Sequence, residues 1–132
     1  MSGSAFELQK GVYALLSGSP GLTCPVYDHV PQTSAKPYAV VGDGDADEWG
    51  TADSDGDEVR VAVTAYSDQH RGRKGVKQVQ ADVYQILHHT LDLAVTGYQV
   101  VLIHYLDSDS PPTPDGATYE STARYRVLLS KL

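Results

Sequence analysis

The chain reads as an α+β domain: a mostly antiparallel sheet with two helices packed on one face. Three observations predict this. Glu58–Ser67 alternates strictly, with Val59, Val61, Val63 and Ala65 on one side and Glu58, Arg60, Thr64 and Tyr66 on the other, which is the period of a half-buried strand. Two segments carry apolar residues at helical spacing instead. The order helix, strands, helix, long hairpin gives no βαβ alternation, so the helices have to share a face of an antiparallel sheet.

The first helix is predicted over Ser4–Ser17. Ser4 and Glu7 have the S-x-x-E spacing of a capping box, and Ala5, Leu8, Val12, Leu15 and Leu16 form one stripe, flanked by Phe6 and Tyr13. Gly18, Pro20 and Gly21 supply the stop. Val26–His29 is a short extended piece between Pro25 and Pro31, followed by the loop PQTSAKP. Tyr38–Gly42 is a short β-rich run. Asp43–Asp57 is acidic and glycine-rich around Trp49 and reads either as a long hairpin loop or as a frayed hairpin with polar tips.

The second helix is predicted over Gly72–His89, with Val76, Val79, Val83, Ile86 and Leu87 on its apolar face. Two strands, Tyr98–Asp107 and Tyr119–Ser130, close the chain, joined by a proline-rich connection too long for a tight turn. Edge strands are unavoidable in such a sheet, and an open edge is a docking place for another copy.

At 132 residues, 41% of them apolar, the chain makes one domain, residues 1–132, with one core. A net charge of −7 makes it a poor nucleic-acid wrapper, because phosphate neutralisation needs clustered cations, but suits a surface that DNA slides past. Cys24 is the single cysteine, so neither an internal disulfide nor a cysteine-rich zinc site is expected. There is no signal-peptide pattern, and no apolar run approaches the ~20 residues that cross a bilayer, so a soluble protein made in the cytoplasm, without membrane contact, is expected.

No motif nominates chemistry. Asp43, Asp45 and Asp47 start like a calcium loop, but the sixth position is Glu48 rather than glycine and the twelfth is Ser54 rather than glutamate. A frame starting at Asp53, Asp55 and Asp57 fails in the same way. A solvated acidic stretch is the simpler reading. His29, His70, His88, His89 and His104 have no metal-ligand spacing, and adjacent His88 and His89 point apart on a helix. Cys24 has no nucleophile signature, SGSPG lacks the order of a nucleophile elbow, and RGRKG is not a phosphate loop. No enzyme activity, metal or cofactor is expected, and the catalytic alternative is a small metal-dependent enzyme using the acidic segment.

The prominent polar feature is the cluster Arg71, Arg73, Lys74 and Lys77 at the start of the second helix, where the helix dipole disfavours cations. It is either an exposed first turn or an ion-pairing patch. In the second case the acidic segment of an adjacent copy, with Asp43, Asp45, Asp47, Asp53 and Asp55, is the natural partner, since complementary patches on one chain favour head-to-tail rings. An acidic adaptor that mimics DNA for a basic partner is a third class, and the basic cluster speaks against it.

The succession VYDHVPQ, KPYAVVGD, a Trp-containing hairpin, EVRVAVTAYSD, RGRKGVKQV and PDGATYESTARYRVLL resembles the tail terminator (tail completion, or tail-to-head joining) proteins of long-tailed phages and phage-like gene transfer agents. The resemblance covers Ser4 to the last residues and rests on the order of loose motifs. It implies an α+β subunit of a hexameric ring at the neck of the virion, assembled in the host cytoplasm. Such a ring caps the tail tube protein, ends polymerisation, and meets a head–tail connector or stopper protein while DNA passes through its lumen unbound. It also implies that segments 43–57 and 107–115 meet other rings, through Trp49 and the Pro111, Pro112, Pro114 group. Another neck ring, for head completion or as a stopper, is the alternative within this class.

Overall fold

The computed structural model describes residues 4–22, 24–27, 37–51, 54–68, 72–88, 93, 95–110 and 118–132, with residues 4, 5, 43–51, 54 and 55 described through their backbone. The elements are α1 (Ser4–Ser17), β1 (Val26–Tyr27), β2 (Tyr38–Thr51), β3 (Ser54–Asp68), α2 (Gly72–Leu87), β4 (Tyr98–Asp109) and β5 (Thr118–Lys131). The strands form one sheet in the order β1-β2-β3-β5-β4, antiparallel throughout except for the short parallel pair β1–β2. The α+β expectation holds, with both helices on one face.

The alternation in β3 explains that one-sidedness. Val59, Val61, Val63 and Ala65 are buried, as are Ala123, Tyr125, Val127 and Leu129 on the paired strand β5. α1 lays Leu8, Val12 and Leu16 over β2 and β3, while α2 lays Val76, Val79, Val83 and Leu87 over β3 and β5. Full burial of each such aliphatic side chain contributes about 1.5–3 kcal/mol, so the two stripes and the central strands supply most of the cohesion. Polar anchors fix the helices. Gln9 Nε2 donates to the Val41 carbonyl at 3.3 Å, and Gln80 Nε2 donates to the carbonyls of Val63 and Ser121 at 2.9 and 2.7 Å.

Among the described residues, no helix lies on the other face of the sheet. Thr64 and Thr122 meet across β3 and β5 there, with hydroxyl oxygens 3.0 Å apart. Arg124 spans Asp107 and Asp109 of β4 at 3.1 and 3.3 Å. Arg126 and Arg60 share Glu58.

Of the two readings of the acidic run, the hairpin is the one found and the loop is not: β2 continues through Asp43, Asp45, Asp47 and Trp49 to Thr51, and β3 resumes at Ser54. Aspartate and glycine are poor strand formers on their own, but pairing outweighs that tendency when a partner strand takes up the backbone groups. Here β3 pairs with β2 from Tyr38↔Tyr66 to Thr51↔Ser54, with one irregularity between Gly42 and Asp45. Likewise, the expected loop that begins at Asp107 starts later, because β4 runs on to Asp109.

Candidate assembly interface

Three surfaces result from this architecture. The first is the start of α2. Gly72 opens the helix with φ 58°, a conformation that glycine adopts without strain. Arg73, Lys74 and Lys77 follow and are exposed. The first turn holds no acidic residue, and Asp82, further along, accepts from Gln78 at 3.1 Å. Among the described residues none of these three cations enters an ion pair. Arg71 lies outside the described residues.

The second surface is the outer edge of β2. β1 covers only Ala39 and Val40, so among the described residues no strand pairs with that edge from Gly42 to Thr51. The ladder with β3 places Asp45 opposite Arg60, Asp47 opposite Glu58 and Trp49 opposite Gly56. Asp43 falls at the irregularity and Asp55 pairs with Gly50. Asp53 and the Pro111, Pro112, Pro114 group lie outside the described residues. The fold thus puts the acidic residues and Trp49 on a paired hairpin, on the opposite flank of the sheet from β4.

The third surface is β4, the other edge, together with the cleft beside it. Two irregularities in its ladder with β5 fall at Val101 and Leu106, and these residues are 44% and 41% exposed. α2 lies over β3 and β5 and reaches β4 through the Tyr84–Tyr105 ring contact, beside a cleft of about 280 Å³. Lys77, Gln80, Ala81 and Tyr84 form its helical wall, Tyr105 and Ser108 its β4 wall, and Ser121, Ala123 and Tyr125 its floor. Tyr105 Oη donates to Ser108 Oγ at 2.8 Å, and its ring packs edge-on against both Tyr84 and Tyr125. Burial pushes the Tyr125 phenol well above its ordinary range, with the neighbouring Tyr105 and Tyr84 adding to the effect.

Sequence reasoning identified Lys77 but missed the cleft. Gln80 and Tyr125 were its signals: an amide beside the apolar stripe of α2, and a phenol at a core position of β5, both needing hydrogen-bond partners.

Cys24 is buried, and desolvation, helped by Asp82, pushes its thiol above the usual range, away from the reactive thiolate. Among the described residues no group of three or more His, Cys, Asp or Glu side chains converges on a metal position. No described helix is long and apolar enough to cross a membrane.

No curated protein matches the chain. A solved chain from the virion of a native gene transfer agent particle has the same fold, with a TM-score of 0.86 and 19% identity over 98% of this chain and 99% of that one. The family model described as tail completion protein gp17 matches residues 10–130, which takes in α2 and β1 to β4 whole, α1 from Lys10 onward and β5 up to Ser130. The chain belongs to the tail completion protein gp17 family.

Proposed function

We propose that this protein is the ring subunit that completes a virion tail: copies associate side by side into a hexamer on the finished tube, end its polymerisation and join it to the head connector or stopper protein. The family match over residues 10–130 carries this reading. The occurrence of the same fold in a chain of a gene transfer agent virion supports it.

The physical layout agrees with a stoichiometric, non-catalytic role. Two sheet edges on opposite flanks, one acidic and one beside a basic helix start, allow unlike patches to meet, and a head-to-tail contact of that kind closes into a ring. Arg71, Arg73, Lys74 and Lys77 supply one side, and Asp43, Asp45, Asp47, Asp53 and Asp55 the other, while Trp49 and the Pro111, Pro112, Pro114 group meet the rings above and below. The net charge of −7 lets DNA traverse the lumen without being held.

Electron microscopy of particles made without this protein tests the reading. Overlong, headless tails are the expected result. Tails of normal length on heads that leak DNA would assign the chain to a stopper or head-completion ring instead.

A further inference from the structure

Two exposed apolar patches lie on opposite flanks of the subunit. The first is on α1. Phe6 and Tyr13 are 63% and 36% exposed, and their spacing of seven residues puts them on one line of the helix. Gln9 stands between that line and the buried stripe of Leu8, Val12 and Leu16, and it donates to the Val41 carbonyl on β2. The line therefore looks outward over β2, away from α2. Lys10 sits beside it, with its ammonium 4.6 Å from the centre of the Phe6 ring.

The second patch is the β4 edge, where Val101 and Leu106 are exposed at the two irregularities of the ladder. Asp107 and Asp109 follow Leu106, both more than half exposed, and they share the guanidinium of Arg124. Two carboxylates thus divide one cation at this end of β4.

The form of each patch selects the other as its partner. Two irregularities so close together spoil β4 as a template for an added strand, because its backbone groups lose their even spacing. What docks there docks through side chains. A helix meets that need, since its backbone groups are already paired with each other and it offers only its surface. Phe6 and Tyr13 supply apolar area, and Lys10 brings a cation to Asp107 and Asp109. Two β4 edges meeting each other would set carboxylates against carboxylates, and two α1 flanks meeting would leave those carboxylates unanswered. α1 and β4 of one copy stay apart, because β3 and β5 stand between β2 and β4 and α2 lies over them. The contact has to join two copies through unlike surfaces, the arrangement that closes rings.

We infer that the Phe6–Tyr13 flank of α1 in one copy packs on the Val101–Leu106 edge of β4 in the next, with Lys10 beside Asp107 and Asp109. The inference rests on the ring reading above and adds to it an apolar contact, made by residues outside the α2 start and the acidic segment.

Full-length variants, each purified and also supplied to particles lacking the protein, test it. Phe6→Glu and Leu106→Glu each put a charge into one side of the contact. Both positions are exposed in the subunit, so melting temperatures equal to that of the parent are expected, while copies incorporated per particle fall about tenfold. Cross-linking identifies the partner. Cys24 is buried and is the single cysteine, so the parent offers no accessible thiol. Lys10→Cys combined with Asp107→Cys, treated with a short bis-maleimide after assembly, is expected to give a ladder of covalently joined copies. Either substitution alone is expected to stay monomeric.

Parental incorporation of both glutamate variants overturns the contact. So does a double-cysteine chain that stays monomeric, or a single-cysteine chain that forms dimers, which marks a two-fold contact instead. If a glutamate variant melts below the parent, the cross-linking result decides, because it leaves Phe6 and Leu106 intact. None of these results touches the tail-completing role, which is judged separately by tail length in particles without the protein.

Discussion

Arg60 on β3 and Arg126 on β5 stand directly opposite each other in the antiparallel ladder, two like charges on the helix-free face of the sheet. Such a pair is unfavourable unless an anion lies between its members. Glu58 provides it: one carboxylate oxygen accepts from Arg126 Nε, and the other lies 3.6 Å from Arg60 Nη2. Glu58→Gln is expected to lower stability by about 1 kcal/mol, because it removes the anion that the two guanidiniums share. Urea unfolding at low and high salt measures this. The deficit should shrink as salt screens the arginines.

Gln80 joins α2 to both central strands through one nitrogen. Gln80→Glu keeps the shape but turns that donor into an anion facing two carbonyl oxygens. At pH 7 a loss of about 3 kcal/mol is expected. The folded state would favour the protonated acid, so the substituted carboxyl has a folded pKa above its unfolded value. Stability should then be greatest below about pH 4 and decline as pH rises, the reverse of an ion-paired carboxylate. Thermal melts at pH 4 and pH 7, compared with the parent, check the direction.

The elements that the sequence defines well are those whose signals are local. α1 runs from Ser4 to Ser17 as the serine–glutamate start and the Gly18 stop require, and β3 buries Val59, Val61, Val63 and Ala65 as their alternation requires. α2 ends at Leu87, two residues before the expected limit. The distal half of β2 was legible only as one of two alternatives, because its aspartates and glycines speak for a turn and only pairing with β3 makes them a strand. Sheet order was not legible either: β5 inserts between β3 and β4, a long-range choice that no local pattern encodes. The same holds for the cleft. Lys77 is visible as a charge in the sequence, but Gln80 and Tyr125 become meaningful only when α2, β4 and β5 are brought together.

Val61 is buried on the helix side of β3, 2% exposed, and lies opposite Tyr125. Val61→Asp buries a carboxylate among the aliphatic side chains of the core. A loss above about 4 kcal/mol is expected, enough to unfold a domain of ordinary stability. Circular dichroism at 25 °C should show loss of the cooperative melt. A normal melt would mean that the two faces of β3 are the reverse of those described.

Gly97 closes the turn that leads into β4, with φ 84° and a hydrogen bond from Tyr98 N to the Val95 carbonyl at 3.0 Å. A Cβ at this position would meet nothing within 4 Å, so a substitution is penalised through the backbone alone. Gly97→Ala should cost about 1 kcal/mol, and Gly97→Asn less, since asparagine tolerates the left-handed region better. Because Leu132 N also donates to the Gly97 carbonyl at 3.0 Å, any shift in the turn should appear as faster amide exchange at Leu132.

Alkaline pH provides the last test, and its sign follows from burial. Tyr125 and Cys24 both ionise at higher pH in the folded chain than their ordinary values of 10.0 and 9.0, chiefly through desolvation, and Tyr66 is shifted the same way by burial, Glu120 and Tyr38. Above these ordinary values the unfolded chain gives up protons that the native chain retains. Stability is therefore fully present below about pH 9 and falls as pH rises, by up to about 1.4 kcal/mol per pH unit for each group. Tyr125→Phe removes one contributor, so the stability of this variant relative to the parent should increase by about 1 kcal/mol between pH 8 and pH 11. Urea midpoints at those two values measure the change. A parent curve flat across the interval would mean that the phenol under Tyr105 is reached by water in the folded subunit.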